Sequence, residues 1–147
     1  MVDHVFVTLE QDDSGYPPWD EEAIPAVSGP DEHSFVLTAS PTFVRGLSLG
    51  DVVHGVPVGD RWYVDDVIEW RGHSTVRVIL FKDEHHDTLL AYGTKHHVTI
   101  SHTAIQGLFS IDIPPESSFS ALKRDLVAGS KQGWWDYEEG AVATNHE

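Results

Sequence analysis

Cysteine is absent, which excludes disulfides, thiolate nucleophiles, cysteine zinc sites and iron–sulfur clusters together. Positive charge is scarce. Nine Lys plus Arg face 24 Asp plus Glu, a formal charge of −15, so nucleic acid is a poor partner in the absence of a local basic patch, and the sequence has none. No apolar run approaches the roughly 18 residues of a transmembrane helix. The opening Met1-Val2-Asp3-His4 lacks the basic and apolar regions of a secretory leader. These features predict a cytoplasmic protein without membrane contact. What is present suffices for one core or two small ones: 147 residues, 40% of them hydrophobic.

Charge is shared unevenly, since residues 1–71 carry 14 acids and 3 bases (net −11) and residues 72–147 carry 10 acids and 6 bases (net −4). The step places a boundary near Arg71-Gly72 and predicts two subdomains, 1–71 and 72–147. In the first, Val5, Val7 and Leu9 alternate with polar residues until Asp13-Ser14-Gly15-Tyr16-Pro17-Pro18 breaks the pattern. Phe35-Val36-Leu37 makes another short strand. Val52, Val56 and Val58 then lead through Gly59-Asp60 to Trp62, Val64, Ile68 and Trp70 at a period of two, a hairpin with a type II′ turn. The expectation is a small twisted β-sheet or partial barrel.

Past Gly72 strands alternate with helices. Val76, Val78 and Leu80 form a strand. Asp83 is placed to cap a helix with Leu89 and Leu90 inward and Gly93 as its stop. Val98-Thr99-Ile100 and the run Ile105, Phe109, Ile111, Ile113 predict two strands. Phe119, Leu122 and Leu126 predict a helix over residues 117–129, capped by Ser117 and stopped by Gly129. A last strand fits Trp134 to Glu138, with a frayed tail beyond Gly140. The order is βαββαβ, the ferredoxin-like pattern, so the fold class is α+β.

Four strings carry a family resemblance: Asp13-Ser14-Gly15-Tyr16-Pro17-Pro18, Phe43-Val44-Arg45-Gly46-Leu47-Ser48-Leu49-Gly50-Asp51-Val52-Val53, Gly72-His73-Ser74-Thr75-Val76-Arg77-Val78 and Asp136-Tyr137-Glu138-Glu139. In order and spacing, over about residues 5 to 140, the chain resembles an uncharacterised bacterial family known as a domain of unknown function. The resemblance implies membership and carries no activity or catalytic residue with it.

Ten histidines are many for this length, and His85, His86, His96, His97 and His102 crowd one segment beside Asp83, Glu84 and Asp87. Adjacent imidazoles diverge in a helix or strand, and in a continuous helix His85 and His96 would stand roughly 16 Å apart. The spacing matches no zinc class, so the expectation is surface histidine and no metal or cofactor. A second group, Arg45, Asp51, His73, Ser74 and Arg77, gathers cations, hydroxyl and imidazole and would suit a small anionic ligand if it shared a cleft. Neighbours such as His73 and Ser74 do not present their side chains to each other for proton transfer, and the plainer reading is that Ser74 and Thr75 begin a strand while Arg77 pairs with a carboxylate across the junction of the two halves. The third group is Trp134-Trp135-Asp136-Tyr137-Glu138-Glu139: strand alternation puts Trp135 and Tyr137 inward and Trp134, Asp136 and Glu138 outward. Asp20-Glu21-Glu22 and Asp65-Asp66 read as solvated acidic surface.

The function expected from this is non-enzymatic binding of a basic protein partner by an acidic surface, in the manner of an immunity or inhibitor protein, with Trp134, Asp136, Glu138 and Glu139 at the contact. The alternatives are a small-molecule-sensing regulatory module with a site at the junction of the two halves, using Arg45, Asp51, His73, Ser74 and Arg77, and a His-dependent hydrolase.

Overall fold

The computed structural model describes residues 4–147. Met1, Val2 and Asp3, on which the leader reading falls, lie outside the described residues. The chain forms two compact units that divide between Arg71 and Gly72. Among the described residues no helix is long and apolar enough to cross a membrane.

The first unit is built from β1 (His4–Thr8), β2 (Glu21–Ser28), β3 (Ser34–Leu37), β4 (Val52–Val58) and β5 (Arg61–Glu69). Successive strands pair antiparallel, and β1 returns to β5 through one parallel pair, Phe6 with Tyr63, so the sheet curls into a ring. Alternate residues fill it: Val5, Ile24, Ala26, Phe35, Leu37 and Val53 are buried together. Gly55 is required at this ring's crowded centre, because a Cβ there would stand 2.8 Å from the Phe35 ring. The β4–β5 turn is Gly59-Asp60, with Gly59 at φ 63°, as the hairpin reading requires.

In this unit one strand goes unread in the sequence and one expected period breaks. Strand β2 carries the acids Glu21 and Glu22, so its amphipathic pattern is masked in the sequence. Along β5, register shifts opposite Val52/Val53 and His54/Gly55 insert extra residues and reset the period of two. Val67 thereby turns inward, while Ile68 and Trp70 face solvent.

The second unit runs β6 (Ser74–Leu80), α1 (His86–His96, entered by a short 3₁₀ turn Asp83–His85), β7 (Thr99–His102), β8 (Leu108–Ile113), α2 (Phe119–Lys131) and β9 (Trp135–Ala141). All pairings are antiparallel in the order β7-β8-β6-β9, which is the ferredoxin-like βαββαβ arrangement. Both helices cover one face of the sheet, where Val76, Val78, Phe109, Ile111, Leu122 and Trp135 share a core. Full burial of a side chain such as Leu122 or Leu126 contributes about 2 kcal/mol each.

Helix boundaries differ from those read in the sequence. Helix α1 runs past Gly93 and stops at His97 in the left-handed conformation, φ 56°, and Leu90 is exposed while Leu89 is buried. Ser118, not Ser117, caps α2 by accepting the Ala121 N–H; Ser117 donates to the His97 carbonyl at 2.7 Å. Gly129 lies inside α2, whose end comes at Lys131 with Gly133 at φ 78°. The tail is ordered by a second 3₁₀ turn, Thr144–His146.

Candidate functional site

In the first unit the connection between β3 and β4 forms a turn pinned from below by Glu22. Its carboxylate accepts the backbone N–H of Thr42, Phe43 and Val44 at 2.5, 2.9 and 3.0 Å. Three donors converging on one carboxylate form a charge-assisted clamp, so Glu22 is a structural acid and the solvated-face reading of it is corrected. Glu21 likewise meets Arg61 and the Tyr63 hydroxyl.

The pinned turn presents aromatic rings at both ends. Tyr16 and Trp19 pack on Phe43 with centroids 5.8 and 5.6 Å apart, and both remain more than 40% exposed, at 43% and 45%. The loop that delivers Tyr16 is held by Asp12, whose carboxylate accepts from Ser14 and the Tyr16 N–H. The Ser14 hydroxyl, then the Tyr16 N–H, holds this carboxyl below its ordinary range. At the turn's other end the Trp70 indole N–H reaches the Gly46 carbonyl at 3.3 Å, yet the ring is 67% exposed. Asp65, Asp66 and Glu69 stand along the same strand end, with Glu69 bonded to Arg71 at 2.7 Å.

Arg45 and Asp51 belong to this unit. Arg45 is exposed. Asp51 is buried and its carboxylate accepts the N–H of Ser48 and of Arg71 at 2.9 and 3.0 Å, which closes the loop ahead of β4.

His73, Ser74 and Arg77 belong to the second unit. His73 Nδ1 donates to Asp112 at 2.8 Å. Burial pushes the Asp112 carboxyl up, and the His73 hydrogen bond only partly opposes it. Ser74 is fully buried and bonds His146 Nδ1 at 2.6 Å, while His146 Nε2 lies 3.0 Å from the Pro114 carbonyl. A carbonyl accepts only, so Nε2 donates to it, and in the neutral imidazole the Ser74 hydroxyl donates to Nδ1. The Ala143 N–H donates to the same Ser74 oxygen at 2.8 Å. The serine is thus paired with a histidine distant in sequence, inside a half-buried brace that ties down the tail. Arg77 is buried and bonds Glu138, a carboxylate of its own unit, at 3.1 Å.

Of the third group, Trp134 precedes β9, packs against the core and stacks on His85 with centroids 4.7 Å apart. It is therefore half-buried. Trp135 is buried and Tyr137 faces the same core. Asp136 is exposed, Glu138 serves Arg77, and Glu139 bonds Lys123 at 2.9 Å.

The histidine-rich segment disperses. His86 and His102 both lie against Phe109. His96 donates to Asp125 at 2.6 Å, where Lys95 also binds at 2.8 Å; burial pushes the Asp125 carboxyl up, but these two donors outweigh it and hold it below its ordinary range. Among the described residues no three His, Asp or Glu side chains converge as metal ligands do.

The aromatic patch on the pinned turn escaped the sequence reading. A period of two groups Trp70 with Trp62 and Val64, a period that the β5 bulges break, and Tyr16, Trp19 and Phe43 meet only through the ring topology.

A family described as Domain of unknown function (DUF4265) matches residues 22–137. The structure is similar to one titled "Novel crystal structure of a hypothetical protein from Neisseria gonorrhoeae", with TM-score 0.77 and 22% identity over 95% of this chain and 96% of that one. That likeness shows the shared fold. No curated protein matches the sequence.

Proposed function

The chain belongs to the DUF4265 family of domains of unknown function, and we propose that it is an acidic binding protein for a basic protein partner, of the inhibitor or immunity type. One observation carries the reading: exposed Trp70, Trp19 and Tyr16 flank a single rigid turn in a unit whose sequence carries 14 acids and 3 bases. Net negative charge accelerates encounter with a basic surface, and a desolvated indole slows escape. The turn needs no ordering on contact, because Glu22 already fixes it, which lowers the entropic cost of association. The proposal includes a cytoplasmic location, which the cysteine-free composition favours.

The test is affinity capture from host lysate followed by kinetics with the purified partner. The expected partner is basic, its association slows as salt rises, and Trp70→Ala or Trp19→Ala speeds dissociation about tenfold or more. An acidic partner, or one whose affinity is unchanged in the Trp19→Ala/Trp70→Ala double variant, overturns the reading.

A further inference from the structure

We infer that the outer edge of β9 is a strand-addition site for a basic, extended segment of a protein partner. The inference rests on the basic partner proposed above and is independent of the aromatic patch.

Among the described residues β9 has one neighbour, β6. Alternate residues of such a strand turn their N–H and C=O groups outward, a ready template for another chain. It is the longer of the sheet's two edges, spanning seven residues against four in β7. Opposite Thr75/Val76 the register shifts at Gly140, where a Cβ would stand 2.7 Å from the Arg77 guanidinium. This bulge ends the regular ladder, leaving Trp135–Glu139 as the straight docking window.

Charge selects the occupant. Asp136 and Glu138 lie on the face opposite the helices, and Glu139 on the helix side, where Lys123 of α2 binds it. Arg77 and Lys123 hold Glu138 and Glu139 in place, so carboxylates are fixed on both faces of the window. A second copy of β9 pairing antiparallel would set these acids opposite or diagonal to one another, which destabilises the pair. A strand with Lys or Arg at alternate positions puts its cations on one face, beside Asp136 and Glu138, while its backbone completes the ladder, the strand-addition mode of peptide recognition.

The experiment titrates the full chain with an octapeptide of alternating lysine and threonine at ~150 mM salt. Two counterparts are N-methylated, one on each alternate set of backbone nitrogens, so that charge is kept and one hydrogen-bonding edge at a time is lost. One of the two is expected to bind at least ~10-fold more weakly than the parent. Asp136→Lys is expected to weaken the parent comparably, and amide exchange within residues 135–139 is expected to slow when the parent binds. Equal affinity for all three peptides, or unchanged exchange in β9, overturns the proposal, since charge alone would then explain the binding. Trp70→Ala is expected to leave octapeptide affinity unaltered. Failure of the aromatic patch therefore shows only in the partner kinetics, and failure of the edge only here.

Discussion

The indole of Trp135 occupies the space above Gly129: a Cβ added to that glycine would stand 2.1 Å from Cζ2 of the ring. The ring is fully buried and its Nε1 donates to the Leu126 carbonyl at 2.9 Å, so it has no room to yield. A glycine inside α2 therefore serves as the floor of an aromatic pocket.

Gly129→Ala sets two effects against each other. Helix propensity favours alanine by about 1 kcal/mol, while overpacking against a fixed ring costs about 2–3 kcal/mol. The clash wins, and chemical denaturation is expected to show a net loss. A stabilised variant contradicts the packing described.

Removing the Glu22 carboxylate leaves three backbone donors of the Thr42–Val44 turn without their acceptor. Glu22→Ala is expected to cost about 1–3 kcal/mol and to speed amide exchange at Thr42, Phe43 and Val44. Glu22→Gln, which keeps one acceptor oxygen, is expected to lose less.

Asp112 has its pKa raised above 3.8 by burial. A raised carboxyl prefers the protonated form in the folded state, so its penalty is in force above the raised value and is relieved as pH falls towards 3.8. Asp112→Asn keeps an acceptor for His73 and removes that penalty. Its melting temperature is expected to equal or exceed wild type at neutral pH, with the difference shrinking as pH falls through that window. Asp112→Ala, which strands the imidazole, is expected to be destabilised by about 1–3 kcal/mol.

Asp125 behaves in the opposite sense, because Lys95 and His96 hold it below 3.8. Its stabilisation is present above that ordinary value and is lost as pH falls through the lowered one. Asp125→Asn is expected to destabilise by about 1 kcal/mol at neutral pH and to melt like wild type in strong acid.

Trp70 and Trp134 are expected to separate binding from stability. Trp70→Ala leaves the melting temperature within the change of a surface substitution, about 0.5 kcal/mol. Trp134→Ala removes packing on the core and on His85 and is expected to cost about 1–2 kcal/mol. Thermal melts of both variants check the contrast.

The sequence alone determined the α+β class, the ferredoxin-like order of the second half and the Gly59-Asp60 hairpin, because each is written in local periodicity and turn chemistry. It also determined the net negative charge and, through absent thiols, the chemistries that are excluded. Other features depend on where distant segments meet. Strand β2 is hidden by Glu21 and Glu22, whose carboxylates are consumed by Arg61, Tyr63 and the turn at Thr42–Val44. Bulges in β5, visible only against its partner strand, turned Trp70 outward. Ser74 found His146 rather than its neighbour His73, since adjacent strand residues point to opposite faces while the chain's return brings a remote imidazole to the right side. Tertiary structure decided these points because a side chain's face is fixed by strand register and by the partner that satisfies it, and neither is a property of the residue's own neighbourhood.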